Sequence, residues 1–420
     1  MKRTLSLFLA VLLLLSACFS GSVYADIDPD YKPPEKPKEE YSYSIENSEV
    51  VLMYYCSYSA EFKIPETMEG YPVTKVEFGN AFVDDFMKTL YIPKTVRDVG
   101  TSINYGNRGL QAIVVDEENP YYSSVDGVLY NKDKTELVQY PAAKQGAVTF
   151  APTVEKIGDS AFYQCSGVTA ITIPEGVTTI GDCAFWANKN LTSVELPNSL
   201  TAIGFRAFGG CTALRAVRIP DGVKTIDSGT FKACHSLQSV EFPDGLTHIC
   251  ERAFFDCKKL NAVILPKGLV EIGTEAFGFI DYSSYDCLYW KANPDFTIYG
   301  WKNTAASQYA GWVEVDDGYD YLPVLSKFNF VPLDYFTDTE NPPLAGDMSA
   351  NGALDAEDAL IVLKNVVGKH PFHQSQMSVA DMDGDGKVAA TDALEILRNV
   401  VGKIPEDSNE RSDDFSYKRV

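Results

Sequence analysis

The sequence predicts a mixed architecture: a β-rich solenoid of parallel strands built from 23-residue repeats, then a small duplicated all-α module. Two observations carry this. An Ala-Phe or Thr-Phe pair recurs every 23 residues, at Ala161-Phe162, Ala184-Phe185, Ala207-Phe208, Thr230-Phe231, Ala253-Phe254 and Ala276-Phe277. Near the other end, an acidic glycine-bearing turn leading into an amphipathic segment appears twice, offset by 34 residues.

The chain opens with Lys2 and Arg3, an apolar run from Leu5 to Leu15, and small residues, the pattern of a secretory signal peptide. Two processing sites compete. Val23-Tyr24-Ala25 gives a leader of residues 1–25 with Asp26 as the new terminus. Leu15-Ser16-Ala17-Cys18 resembles a bacterial lipobox, giving a leader of 1–17 with Cys18 as lipid anchor. Either places the protein outside the cytoplasm, secreted or on a bacterial cell surface. No later stretch reaches the roughly 18 apolar residues of a spanning helix, so no transmembrane segment is expected. Residues 26–40 read as a proline-bearing charged linker. The net charge of −22 argues against nucleic acid as partner, which needs a basic footprint.

Residues 41–332 read as the solenoid. One copy runs Cys211, Leu214, Val217, Ile219, Pro220, Val223, Ile226. Val217 and Ile219 flank Arg218, which is strand alternation with one face buried, and Pro220 ends the strand because it cannot donate to a ladder. A unit this small cannot bury its own apolar side, so stacked units must share a core. The pattern resembles the BspA-like (LRR_5) class of leucine-rich repeat. Ile64-Pro65, Ala81-Phe82 and Ile92-Pro93 resemble degenerate units of it. Val115 to Pro141 interrupts the period as a β-hairpin excursion with turns at Asp126-Gly127 and Asn131-Lys132-Asp133-Lys134. Beyond Phe277, Thr297 to Gly300 and a helix-like stretch from Asn303 to Tyr309 resemble the terminal cap that an array needs.

Nine cysteines in an exported chain invite a disulfide reading. However, Cys165, Cys211, Cys234 and Cys257 share one repeat column with Asn188. The resemblance assigns that slot to a side chain hydrogen-bonding the neighbouring turn, and the asparagine favours this ladder over disulfides. Cys56, Cys183, Cys250 and Cys287 stay unassigned. The outward strand columns, Thr172, Glu195, Arg218, Glu241, Ile264 and Ala170, Ser193, Ala216, Ser239, Ala262, are mixed in charge and carry no aromatic platform for sugar. Tyr163, Trp186 and Phe255 form a strip that either packs between turns or binds a ligand. A protein or a surface glycan is the expected ligand.

Residues 333–344 read as a linker, 345–404 as the duplicated module and 405–420 as a polar tail. Asp347, Ser349, Asn351 and Asp358 stand at positions 1, 3, 5 and 12 of a twelve-residue turn with Gly352 at 6, and Asp381, Asp383, Asp385 and Asp392 repeat this with Gly386. This spacing wraps oxygens around one calcium ion, with backbone carbonyls from Ala353 and Lys387 at position 7. Two calcium ions are expected. Amphipathic helices starting at Asp358 and Asp392 would close at Gly368 and Gly402. Pro342 and Pro343 forbid a helix before the first turn. The loop-then-helix duplicate (an F-hand pair) resembles the type I dockerin, the module that binds cohesin domains on scaffoldins. The resemblance implies a cellulosome-type component acting around plant polysaccharide. It implies cohesin contacts at Ala356, Glu357 and Lys364 in one half and Ala390, Thr391 and Arg398 in the other, and two docking faces related by a half-turn. The usual Ser-Thr pair is absent from both, so cohesin specificity is not carried over.

No catalytic site emerges. The four histidines, His235, His248, His370 and His373, make no triad or metal-protease spacing, and a solenoid offers no cleft for a glycosidase carboxylate pair. The expected role is non-catalytic recognition, with a surface lipoprotein adhesin anchored by Cys18 and an unrecognised polysaccharide hydrolase as alternatives.

Overall fold

The computed structural model describes residues 40–56, 59–78, 86–100, 103–282, 290–311, 328–334, 347–350, 353–354, 356–366, 372, 374–382 and 387–402. The expected leader, with Cys18, lies outside these residues, as do Ala81-Phe82, Cys287, most of the 333–344 segment, and the 405–420 tail.

Each regular turn is held to the next along three hydrogen-bonded seams. The first is the expected strand column. Ala170–Thr172 pairs in parallel with Ser193–Glu195, and Ala216–Arg218 with Ser239–Glu241, each residue meeting its equivalent one turn on. The middle residues Ile171, Val194, Val217 and Val240 face inward. The second seam was not foreseen. The two-residue strands Lys156–Ile157, Thr179–Ile180 and Ala202–Ile203 pair in parallel, as do Thr225–Ile226, His248–Ile249 and Glu271–Ile272. Two residues are too few to show alternation, so the isoleucines read only as part of the apolar skeleton.

The third seam runs beside the Phe pairs, where Phe162 N donates to Ala184 O at 2.7 Å and Phe231 N to Ala253 O at 2.8 Å. The turn around each Phe needs left-handed backbone on both sides. Ser160, Cys183, Arg206 and Arg252 adopt φ of 51–55° on one side, and Gly229 takes that slot in its own turn at 63°. The Phe rings stack into a column through the core. Centroid spacings are 4.8, 5.0, 5.4, 5.2 and 4.8 Å from Phe162 to Phe277, and every ring is fully buried. Each ring contributes about 1.5–3 kcal/mol of burial.

The weaker units at Ile64-Pro65 and Ile92-Pro93 are genuine turns. Glu61–Lys63, Thr89–Ile92 and Ala112–Val115 form a parallel sheet over a core of Phe62, Leu90 and Ile113. The excursion is the expected hairpin, Tyr122–Val125 with Val128–Asn131, turning at Asp126 (φ 50°) and Gly127 (φ 74°). A second hairpin, Glu40–Glu46 with Glu49–Cys56, opens the domain and was missed because it does not follow the 23-residue period. At the far end Thr297–Gly300 and Asn329–Pro332 continue the first strand column, and helix α1 (Ala305–Gly311) lies beside them. The Tyr309 hydroxyl accepts from Phe277 N at 2.8 Å and donates to Phe277 O at 3.0 Å, closing the ring column.

The C-terminal module contains α2 (Ala356–Val366), α3 (Gln374–Ala380) and α4 (Ala390–Gly402). Two helices were expected; α3 corrects that, and it means that a helix does precede the second turn. Its seven residues, QSQMSVA, are too short and too polar to display a helical stripe. Helices α2 and α4 also start two residues before the expected Asp358 and Asp392. That places Glu357, Asp358 and Asp392 in first turns, where the helix dipole favours acids.

Candidate functional site

The first acidic turn brings three of its expected ligands together. Asp347 and Asp358 are fully buried. Ser349 links them, its backbone N donating to Asp358 Oδ1 at 2.9 Å and its hydroxyl to Asp347 Oδ1 at 3.3 Å. Positions 1, 3 and 12 thus converge. Ala353 is exposed and Asn351 lies outside the described residues. In the second turn Asp381 is half-buried, and its N–H donates to Met377 O at 3.0 Å, so α3 runs straight into the turn. Asp392 is fully buried and accepts from Met382 N and Ala389 N, both at 2.7 Å. Lys387 is exposed, and Asp383 and Asp385 lie outside the described residues.

These observations test the chemistry of calcium. Burying a carboxylate costs several kcal/mol unless hydrogen bonds or a cation compensate. Three buried aspartates in a module this small are therefore a conspicuous expense, and backbone amides aim their oxygens. The converging donors are carboxylates and a hydroxyl, hard oxygens of the kind calcium takes. Among the described residues no group of three or more His, Cys, Asp or Glu side chains gathers at one point; Asn351, Asp383 and Asp385 fall outside them.

The expected cohesin contacts divide between the two helices. Ala356 and Glu357 are exposed at the start of α2 and Lys364 is half-buried two turns on. Ala390 and Thr391 are exposed at the start of α4, and Arg398 follows in its third turn.

The cysteine column is a ladder. Cys211, Cys234 and Cys257 donate through Sγ to the carbonyls of Phe185, Phe208 and Phe231 at 3.2–3.3 Å, and Asn188 Nδ2 donates to Phe162 O at 2.8 Å. Cys165 reaches Tyr140 O at 3.5 Å. All four thiols are free and buried, and burial pushes Cys211 up to about 12. Cys183 and Cys250 are half-buried free thiols.

The aromatic strip packs between turns. Phe255 is buried, and the Trp186 ring occupies the space beside Gly209 where a side chain would stand. Arg206 lies over Trp186 at 5.4 Å and over Phe205 at 4.7 Å, and Lys232 over Phe255 at 5.1 Å. His235 pairs with Asp256 at 2.8 Å and His248 with Thr247 at 2.9 Å; His370 and His373 lie outside the described residues.

On the strand face Thr172 donates to Glu195 at 2.8 Å and Arg218 meets Glu241 at 3.3 Å. Sequence reasoning found no aromatic platform here. The repeat strands from Ala170 to Ile264 have none and Tyr299, which continues their column, is buried, but a cleft of about 750 Å³ at the end of this face, lined by Arg218, Glu241, Asp244 and Lys267, also takes in Trp301 and Phe372. Both rings come from segments outside the repeats, so no repeat column could reveal them. Among the described residues no helix is long and apolar enough to cross a membrane.

Two family descriptions match. "BspA type Leucine rich repeat region" covers residues 155–285 in six copies, and "Dockerin type I domain" covers residues 345–401. Both are non-catalytic interaction modules, and neither match is an enzymatic domain. Among solved structures the chain is similar to a leucine-rich repeat protein from Eubacterium ventriosum, at 30% identity over 52% of this chain and 63% of that one, TM-score 0.44. A leucine-rich repeat protein from Bacteroides ovatus is 23% identical over 66% of each chain, TM-score 0.42. The T. pallidum protein TpLRR is 23% identical over 52% of this chain and 87% of its own, TM-score 0.31. The chain thus spans less than two thirds of the first two. No curated protein matches it.

Proposed function

We propose that this chain, whose residues 155–285 are a BspA-type leucine-rich repeat region and whose residues 345–401 are a type I dockerin domain, is a non-catalytic extracellular recognition protein. The dockerin attaches it through calcium to a cohesin domain on a scaffoldin, and the repeats present a binding face for a protein or surface glycan. The setting is a cellulosome-type assembly acting on plant polysaccharide. The observation that carries this is the pair of acidic turns whose buried Asp347, Asp358 and Asp392 feed directly into α2 and α4.

Asp347, Ser349, Asn351, Asp358 and the Ala353 carbonyl would hold one calcium ion. Asp381, Asp383, Asp385, Asp392 and the Lys387 carbonyl would hold the second. When bound, calcium neutralises the clustered carboxylates and so stabilises the helices that a partner touches. Ala356, Glu357, Lys364, Ala390, Thr391 and Arg398 are the proposed contact residues.

The test is capture of the full chain on immobilised cohesins, with calcium and with EDTA. Chelator-sensitive capture supports the reading. Absence of capture by every cohesin, or capture indifferent to EDTA, overturns it. Binding of glycans and surface proteins to the chain and to its Trp301→Ala variant tests the repeat face.

A further inference from the structure

The strand face changes character at its far end. Along the first outward column, Thr172, Glu195, Arg218 and Glu241 are polar, then Ile264, Tyr299 and Val331 are apolar. Burial changes at the same place. The outward residues of the first three strands are exposed on both sides of a buried centre. By contrast Ala262, Thr297 and Tyr299 are only 2%, 8% and 1% exposed. What covers them is the C-terminal module. Ala262, Tyr299 and Leu333 share one buried apolar cluster with Met348, Ile361 and Val362. Beside it a cleft of about 510 Å³ is walled by Asn261, Asp295 and Thr297 of the solenoid and by Glu357, Ile361 and Lys364 of α2.

Glu357, Ile361 and Lys364 are spaced i, i+4, i+7, so they form one stripe of α2. That stripe contains two of the three residues through which the first half would meet a cohesin. The duplicated sequence shows that the arrangement is built in. At the 34-residue offset α2 and α4 match closely, Leu360 with Leu394, Lys364 with Arg398, Asn365 with Asn399. Two positions of the stripe differ: Glu357 stands where α4 has Thr391, and at the centre Ile361 stands where α4 has Glu395. At the stripe's centre the module is apolar where it rests on the solenoid, Ile361 being 9% exposed, and charged at the equivalent position of the other helix, Glu395.

We infer that the last turns of the solenoid, packed on Ile361 and facing Glu357 and Lys364 across the cleft, obstruct the first docking face while Ala356 and Glu357 stay exposed, so that this chain binds its cohesin in a single orientation, through α4. A free duplicated module offers two equivalent faces; here the strand column from Ile264 to Val331 stands against one and leaves Ala390, Thr391 and Leu394 for the partner. Single-face docking fixes the angle at which the repeats project from the scaffold. The inference rests on the cohesin reading above.

The experiment uses the full chain in calcium. In Thr391→Arg/Leu394→Arg, cohesin affinity is expected to fall at least 100-fold, because the second face cannot substitute. Adding Ile361→Glu, which copies Glu395 into the stripe, is expected to free the first face and recover at least tenfold of that loss, a gain that also shows the variant to be folded. Retention of affinity within threefold in the double variant, or no recovery in the triple, overturns the inference while leaving the cohesin reading intact. Amide hydrogen exchange needs no partner: Thr297–Gly300 and α2 should be protected in the parent chain and lose protection in Ile361→Glu. Unchanged protection overturns the junction whatever the cohesin does, whereas wild type that captures no cohesin overturns the reading above.

Discussion

At the scale of single residues, the core is a column of one side chain repeated. Phe208 stacks on Phe185 at 5.0 Å and on Phe231 at 5.4 Å, with no solvent exposure, so the site cannot collapse around a smaller residue. Phe208→Ala is expected to cost about 3–5 kcal/mol, read as a lowered urea midpoint at unchanged slope. The neighbouring ladder behaves differently. Asn188 makes a strong bond through Nδ2 to Phe162 but leaves its Oδ1 without a partner, whereas Cys211 uses one weak donor and strands nothing. Losing the amide bond and losing the orphaned oxygen oppose each other at about 1 kcal/mol apiece. Asn188→Cys should therefore stay within about 1 kcal/mol of the parent, and a loss of 3 kcal/mol in the same urea titration would contradict this balance. The cysteine slot was legible because Asn188 interrupts it; Gly209's role as the space for Trp186 was not, since only the packed turn shows that contact.

At the scale of elements, the two halves of the chain draw stability from different sources. Solenoid turns lean on neighbours through three seams. The helices α2 and α4 stand over turns whose aspartates are buried with little apolar core beneath. Removing calcium should therefore melt α2–α4 and spare the sheet, seen by circular dichroism as partial loss of the helical signal with the sheet signal retained. Asp358→Ala should weaken calcium uptake at least tenfold, and calorimetry giving the parent's affinity would show that the first turn holds no ion. The strand column and the duplicated turns were legible because each repeats a motif several residues long. The two-residue second seam, the opening hairpin and α3 were not, because each is too short or too aperiodic to leave a pattern.

At the scale of the whole molecule, the four buried thiols tie stability to alkaline pH. Desolvation raises each above the ordinary value, Cys211 from 9.0 to about 12. Below pH 9.0 both folded and unfolded chains keep these protons and nothing is lost. Above it the unfolded chain ionises first, so stability falls until the folded pKa near 12 is passed. The urea midpoint should decline between pH 9 and 11, and Cys211→Ala should flatten that decline; an identical slope in the variant would rule the thiol out as a cause.

The sequence by itself determined the 23-residue solenoid, the thiol ladder and the paired acidic turns, because each is a local motif whose period or spacing encodes its own geometry. Only the tertiary structure decided where the module rests. Ile264, Tyr299, Val331 and Ile361 are scattered over about a hundred residues and share no period, and an apolar residue announces that it will be covered without naming its cover. Burial against a distant segment is non-directional and proportional to area, so that pairing exists only once the chain has folded.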